Sequence, residues 1–383
     1  AHSYDLMLRV TEGLPRDQIR HIPRVLYHWR ASKGSTTLDH STTEEASAAG
    51  KRALEDHLQR LGLNARVQAS EIPLAYRVSY PLPSTQPSAT LIIPTHNSLR
   101  VLKNCIDSIR NTTDYGNYDI LIIDNRSDDP ETLEYLQACQ CDQVRVIEYP
   151  HAFNYSSINN FAVKHTLSEV VVLLNNDTEV CNPDWLQELV SHAIRPEVGA
   201  VGAKLFYAED LIQHAGLLLG MGADKSSVAD CAFKGMHKND TGSLSRSRLL
   251  QAYSAVTAAC MAVKREKYLE VGGLDEENLP IAFNDVDFCL KLQEKGYTNI
   301  WTPYAQLYHY ESFSRGQDWD DKYKRERFLK ERTYMINRWK ETLDSDPYYN
   351  PNMTRHFNNF GLAWPPYHED KKSPSLNTGN QDI

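Results

Sequence analysis

The chain has 383 residues, 41% of them hydrophobic and 24% charged, a balance that supports a sizeable core and excludes wholesale disorder. Glycine and proline number 18 each, which excludes collagen-like and low-complexity architectures. With 41 Lys and Arg against 50 Asp and Glu, the formal charge of −9 argues against nucleic-acid binding by charge alone. No apolar run approaches the roughly 20 residues of a spanning helix. The best, Val170-Val171-Val172-Leu173-Leu174, has strand length, and Asp5, Arg9, Glu12 and Arg16 break up any signal-peptide layout. The seven cysteines are scattered, and the single residue between Cys139 and Cys141 suits neither a zinc knuckle nor a redox pair. Reduced thiols of a cytosolic protein are the expectation.

Residues 1–40 are mixed and end in the small polar run Ala31-Ser32-Lys33-Gly34-Ser35-Thr36-Thr37. Residues 41–62 predict a helix, with Ser41 or Thr42 as cap, Glu44 and Glu45 in the first turn and Gly62 at the end. Pro73, Pro81, Pro83 and Pro87 then space an extended linker up to residue 87. From Ala89 strands and helices alternate. Thr90–Ile93, Tyr118–Ile123, Val144–Tyr149 and Glu169–Leu174 predict strands; Leu99–Arg110 and 155–167 predict helices. Continuous apolar strands between amphipathic helices imply an α/β fold, a mainly parallel sheet covered on both faces. Cys260–Val263 predicts a further strand before the turn Gly272-Gly273, either the floor of an acceptor site or plain scaffold. Residues 321–341 predict a charged helix bearing Tyr323, Phe328, Tyr334, Ile336 and Trp339, which either docks on the preceding domain or touches a partner or membrane surface. The tail after about 366 is polar and expected to be mobile.

An internal repeat links the two ends of the chain. Tyr4-Asp5-Leu6-Met7-Leu8-Arg9 precedes Leu26-Tyr27-His28-Trp29 much as Val286-Asp287-Phe288-Cys289-Leu290-Lys291 precedes Leu307-Tyr308-His309-Tyr310. Asp5 to His28 is 23 positions and Asp287 to His309 is 22, and each unit ends in a serine-bearing stretch, Lys33-Gly34-Ser35 or Phe313-Ser314-Arg315-Gly316. Residues 1–40 are therefore expected to be the last piece of a preceding domain of the same kind, and the chain, which starts at Ala1, to begin inside a longer tandem protein.

Ligands of open parallel sheets bind beyond the carboxyl ends of the strands. Three strands end there in polar residues: Pro94-Thr95-His96-Asn97, Asp124-Asn125-Arg126-Ser127 and Asn175-Asn176-Asp177-Thr178. Neither Gly-x-Gly-x-x-Gly nor a Walker-type Gly-Lys-Ser/Thr follows the first strand, so a bound pyrophosphate would need a divalent cation, for which Asp177 is placed. In Phe283-Asn284-Asp285-Val286-Asp287, at the start of another helix, the two carboxylates diverge by roughly 160°. One can face a cleft while the other caps or pairs structurally. His309, between Tyr308 and Tyr310 after an apparent strand 305–307, is a further candidate for a cleft role.

Taken in order, Leu91-Ile92-Ile93-Pro94-Thr95-His96-Asn97, Ile122-Ile123-Asp124-Asn125-Arg126-Ser127, Leu173-Leu174-Asn175-Asn176-Asp177-Thr178 and Phe283-Asn284-Asp285-Val286-Asp287 resemble the motifs of family 2 glycosyltransferases, over about residues 88–316. The bacterial rhamnosyltransferase-like and O-antigen or capsule branch, often tandem, is the most similar. The resemblance implies a GT-A fold, a mainly parallel Rossmann-like sheet with helical appendages at both ends, and a catalytic domain over residues 88–320 followed by a helix and tail to 383. It implies a nucleotide-sugar site formed by Pro94, Thr95, Asn97, Asp124, Asn125, Asn175, Asn176 and Asp177, with Pro94, Thr95 and Asp124 bordering base and ribose. Asp177 matches the last Asp of the family's Asp-x-Asp metal motif for Mg²⁺ or Mn²⁺, His309 a histidine that can join that site, and Asp285 the catalytic base. The first Asp of the metal motif is Asn175 here, which makes metal dependence less secure. The implied activity is inverting transfer from a nucleotide-diphosphate sugar to a saccharide or lipid-linked saccharide hydroxyl in surface-polysaccharide synthesis. The implied location is the cytoplasm, with peripheral contact at the inner face of the plasma membrane left open. The alternative is a catalytically silent nucleotide-sugar- or glycan-binding module, which Asn175 favours. An NAD-type oxidoreductase lacks its glycine fingerprint.

Overall fold

The computed structural model describes residues 2–15, 18–28, 43–222, 227–310 and 321–364. The expected cap at Ser41 or Thr42, the serine-bearing stretches at 33–35 and 313–316 and the polar tail lie outside the described residues. Helices α1 (His2–Glu12) and α2 (Thr43–Arg60) pack together through Glu12, whose carboxylate takes Arg60 Nη2 at 2.5 Å and His57 Nδ1 at 2.7 Å. The repeat recurs only in its helical half. α1 is a helix like its counterpart near residue 285, but residues 24–28 form no strand and His28 is exposed. No residue of α1 is buried, and Leu6 and Met7 are each 60% exposed. Within the expected linker, β1 (Arg66–Ala69) and β2 (Tyr76–Ser79) close an antiparallel hairpin. Arg77 on β2 fastens this hairpin to the rest of the chain by donating to Glu188 at 2.8 Å.

The main body continues with β3 (Ala89–Thr95), α3 (Leu99–Thr112), β4 (Tyr118–Asp124), α4 (Pro130–Ala138), β5 (Val144–Glu148), α5 (Tyr155–Lys164), β6 (Val170–Leu174) and β7 (Thr178–Val180). It goes on through α6 (Trp185–Ala193), β8 (Val198–Phe206), β9 (Ile212–His214), β10 (Leu217–Leu219), β11 (Ala229–Cys231), β12 (Gln251–Ala252), β13 (Cys260–Lys264), α7 (Arg265–Glu270), α8 (Asn284–Glu294) and β14 (Thr298–His309). One large sheet runs β12-β14-β8-β13-β6-β3-β4-β5, with β7 paired to β14 and β9 to β8. β3, β4, β5 and β6 are mutually parallel where they pair, as are β8 and β14, while β13 runs antiparallel between β6 and β8. Alternate residues of each strand enter opposite cores: Val171 and Leu173 join one, Val170, Val172 and Leu174 the other. Burial on both faces is what selects such an uninterrupted aliphatic run.

Local signals set the helix starts. Asp129 caps α4 by accepting from Thr132 N, with Pro130 at the first helical position, and Asn154 caps α5 through Ser157 N. The Gly272-Gly273 turn ends α7 with φ near +78° and +69°, and a Cβ on Gly273 would sit 2.3 Å from Asn160 Oδ1. This turn is scaffold: Asn160 Oδ1 accepts from Tyr268 Oη at 2.7 Å and Leu274 N at 2.9 Å.

Helices α9 (Lys322–Arg338) and α10 (Lys340–Asp344) fold back over the body. The expected aromatic helix therefore docks on the main body. Trp339 Nε1 donates to the fully buried Asp287 at 2.9 Å, Ala282 N donates to Glu331 at 2.6 Å, and the Phe328 ring packs 5.2 Å from Phe283. Lys291 Nζ at 3.3 Å and Arg338 Nε at 3.4 Å also neutralise Asp287. Removing its carboxylate strands these donors, so Asp287→Ala should lower the unfolding free energy by about 3 kcal/mol, read from urea melts followed by tryptophan fluorescence.

Candidate active site

Parallel pairing of β3 with β4 in register sets Thr95 opposite Asp124, so both strands end at one level. β3 and β6 are likewise parallel, and Asn176 Nδ2 bonds Thr95 Oγ1 at 3.0 Å across their carboxyl ends. Thr95, Asp124, Asn125, Asn176 and Asp177 are all buried at this edge. Their roles differ. Asn125 spends its amide on the carbonyls of Tyr149 and His151, and Asn97 joins Asp128 and Asp129, so both shape the loops of the pocket. The Asp124 carboxylate accepts, among the described residues, only from the local Ser127 N at 3.1 Å, which leaves capacity for a further donor. Pro94 ends the strand beside Thr95 and is half-buried.

The far end of the chain closes the site. β14 pairs antiparallel with β7, setting His309 opposite Thr178, and Tyr310 N donates to Asp177 O at 2.9 Å. His309 Nε2 thereby lies 3.1 Å from Asp177 Oδ1 and 3.1 Å from Asn175 Nδ2. On its other side His309 Nδ1 meets Gln213 Oε1 at 2.7 Å. An amide acceptor on one nitrogen and an amide donor on the other select the Nδ1–H tautomer and turn the Nε2 lone pair toward Asn175 and Asp177. Asp177 Oδ1 is buried and accepts no hydrogen bond. Two electron-rich atoms thus face each other, an arrangement that a cation between or beside them would relieve. Among the described residues no three His, Cys, Asp or Glu side chains converge. Asp177 and His309 fit a divalent cation only as a partial shell, with Asn175 and a ligand's own oxygens to complete it.

Asp285 opens α8 behind Phe283, which adopts φ of 60°. It is half-buried, and its carboxylate accepts from Ala258 N at 3.2 Å and Val286 N at 2.8 Å. Desolvation raises its pKa above the usual aspartate value, against the lowering effect of those amide donors. Tyr155 ties this half of the site to the other by donating to Ala258 O at 3.0 Å and to Asn175 Oδ1 at 3.3 Å. The two neighbouring aspartates divide as their angular separation predicts, Asp287 into structure and Asp285 toward the strand ends.

Three contributors escape the sequence reading: Tyr155, Gln213 and His214. His214 Nδ1 bonds Ala203 O at 2.9 Å and its Nε2 receives Thr257 N at 3.2 Å; burial pulls its pKa down to about 4. It is a neutral strut under the loop that leads to Ala258.

Residues 90–269 match the family model described as Glycosyl transferase family 2. That stretch is similar to the catalytic domains of family 2 glycosyltransferases. Asp285 and His309 fall beyond the matched stretch, on the α8 and β14 elements that complete the sheet edge. The chain is 45% identical over 368 residues to the uncharacterized protein y4gI of Sinorhizobium fredii, covering 95% of this chain and 40% of that protein. It is 34% identical to the O-antigen biosynthesis protein RfbC of Myxococcus xanthus, over 100% of this chain and 29% of that one. The chain thus spans less than half the length of either relative. The mannosyltransferase PcManGT of Pyrobaculum calidifontis, solved with GDP-Man and Mn²⁺, superposes with a TM-score of 0.50 at 17% identity, over 81% of each chain. The fold is GT-A.

The raised pKa of Asp285 has a stability consequence with a definite sign. Between the unfolded and the folded pKa the native state holds the proton more tightly, so this contribution is present at low pH and is lost as pH rises through the folded value. Asp285→Asn, which keeps the amide acceptor and cannot ionise, should therefore melt above wild type at pH 7. The gap should close as pH falls below the folded pKa of the carboxyl, a comparison that calorimetric scans across pH 3.5–7.5 make directly.

Proposed function

We propose that the chain is an inverting glycosyltransferase that moves a sugar from a nucleoside-diphosphate donor to a saccharide hydroxyl. The observation that carries this reading is the pairing of a buried, unsatisfied Asp177 oxygen with His309 at one end of the cleft and a pKa-raised Asp285 at the other. Thr95 and Asp124 border the base and ribose. Asp177 and His309 would hold Mg²⁺ or Mn²⁺, with Asn175 oriented by Tyr155 beside them. When bound, the ion stabilises charge on the departing diphosphate. The Asp285 carboxylate accepts the proton of the acceptor hydroxyl as that oxygen bonds the anomeric carbon. The bond from that carbon to the diphosphate oxygen breaks in line, which inverts the configuration. A base so placed contributes about 10²–10⁴-fold.

The family match and the O-antigen name of one relative support assignment to synthesis of a bacterial surface polysaccharide. In this reading the acceptor is a saccharide or lipid-linked saccharide met at the cytoplasmic face of the membrane. No helix among the described residues is long and apolar enough to cross a membrane.

The test is a nucleoside-diphosphate release assay over a panel of GDP-, UDP- and dTDP-sugars, with Mn²⁺ or EDTA. Asp285→Asn should cut turnover by at least 10²-fold while donor affinity by calorimetry stays within threefold of wild type. Asp177→Ala should weaken Mn²⁺-dependent donor binding by tenfold or more. Near-normal turnover in Asp285→Asn would sink the base assignment, and donor binding without turnover in wild type would favour the silent binding module.

A further inference from the structure

A second cleft lies on the opposite face of the strands that carry His309. Successive residues of β14 point to opposite sides of the sheet, so Tyr308 and Gln306 turn away from the site that His309 enters. With Glu179 on β7 and Cys181 just after it, Lys204 and Phe206 on β8, and the Ser70–Ile72 turn of the β1–β2 hairpin, they line a cleft of about 910 Å³. That volume lies in the range of small-ligand pockets.

Its cations are not equally matched. Arg77 is paired with Glu188 at 2.8 Å, and Lys238 with Asp210 at 2.9 Å. Arg248 donates to the Asn239 carbonyl, but its one carboxylate neighbour among the described residues is Glu71, a loose 3.7 Å contact from a side chain that is itself 93% exposed. Lys204 is 2% exposed, yet the one hydrogen bond of its ammonium is to Ser247 O at 2.9 Å. No carboxylate pairs with it among the described residues. Burial, with the charge of Arg248 adding, draws its pKa down to about 8, so at neutral pH the group is still mainly a cation. A buried ammonium with one of three donors used is costly unless something completes its shell. An anion in the cleft would do so.

The remaining lining narrows the class. Phe206 and Tyr308 stand with ring centroids 5.9 Å apart, with the Lys204 ammonium 5.5 Å from the first and that of Lys238 5.9 Å from the second. Aromatic faces beside amides (Gln306, Asn239) and a carboxylate held by Tyr310 (Glu179) suit rings that carry both C–H faces and hydroxyl groups. We propose that this cleft binds an acidic saccharide, a sugar bearing a carboxylate or phosphate, with Lys204 and Arg248 meeting the anion and Phe206 and Tyr308 supporting the ring. The anion requirement stands on Lys204 alone; the choice of a saccharide rests on the glycosyltransferase reading. Such a site would hold an acidic glycan on the outer face of the sheet while the transfer site stays free.

Titration calorimetry on the whole chain tests this with three probes: cellobiouronic acid, neutral cellobiose and inorganic phosphate. Wild type should bind the acidic disaccharide saturably and at least tenfold more tightly than either of the others. Lys204→Met should lose at least tenfold in that affinity, and Arg248→Ala, at a half-buried side chain, at least threefold. Lys204→Met should also melt at or above the wild-type temperature, because a methionine fills the stem volume without a buried charge. Asp285→Asn should bind the disaccharide as wild type does, so a failed transfer assay and a failed cleft remain distinguishable. Unchanged affinity in Lys204→Met, equal affinity for cellobiose, or no binding by wild type would overturn the proposal. Phosphate binding as tightly as the disaccharide would overturn the saccharide assignment.

Discussion

The short antiparallel pairing of β7 with β14 is the constraint on which the candidate site depends. Asp177 immediately precedes β7 and His309 ends β14, so three residue pairs of backbone hydrogen bonding bring together side chains that are far apart in sequence. Everything at the cation end follows from that contact. The Nε2 lone pair reaches Asp177 only because Gln213, delivered by β9, holds the other ring nitrogen. β9 is in turn placed by β8, the parallel neighbour of β14. Four strands thus act as one device that sets one imidazole.

The other end of the cleft shows how adjacent residues of one type acquire opposite duties. Asp287 is fully buried but surrounded by an indole, an ammonium and a guanidinium, so its charge is matched and its contribution is cohesive. Asp285 meets backbone amides and the Thr257 hydroxyl but no cation among the described residues, and desolvation raises its proton affinity. A carboxylate that is poorly compensated in the folded state is a better proton acceptor and a weaker stabiliser. The C-terminal helices hold Asp287 in place, and through the shared first turn of α8 they also fix where Asp285 stands.

The strands that carry the candidate-site residues Thr95, Asp124 and Asn176 at their ends were legible because each is buried on both faces, and burial on both faces writes a continuous aliphatic run. β3, β4 and β6 match their expected positions to within two residues at either end. The stretch from α6 to β11 left no comparable mark. β8 contains Gly199 and Gly202, which read as breakers, yet a Cβ at Gly202 would lie 2.5 Å from the Val256 side chain. Close packing, not chain reversal, requires the glycine. The β1–β2 hairpin is half-exposed and bounded by prolines, so its pattern resembles a linker. Asp177, Asp285 and His309 were recognisable as types in order along the chain. Tyr155, Gln213 and His214 were not, because they matter only through long-range pairing that no local pattern encodes.

The position of β14 in the sheet also bears on how the molecule assembles. It is the last strand among the described residues but is an interior member of the sheet, between β12 and β8. During synthesis, the parallel half from β3 to β6 can collapse while β8 still presents an unpaired edge. The antiparallel β13 bridges the two halves before β14 arrives, and α9 covers the result only afterwards. Non-local closure of this kind is intrinsically slow. The half of the cleft around Asp177 and His309 is thus the final part of the sheet to form, and the candidate site is complete only once β14 has docked.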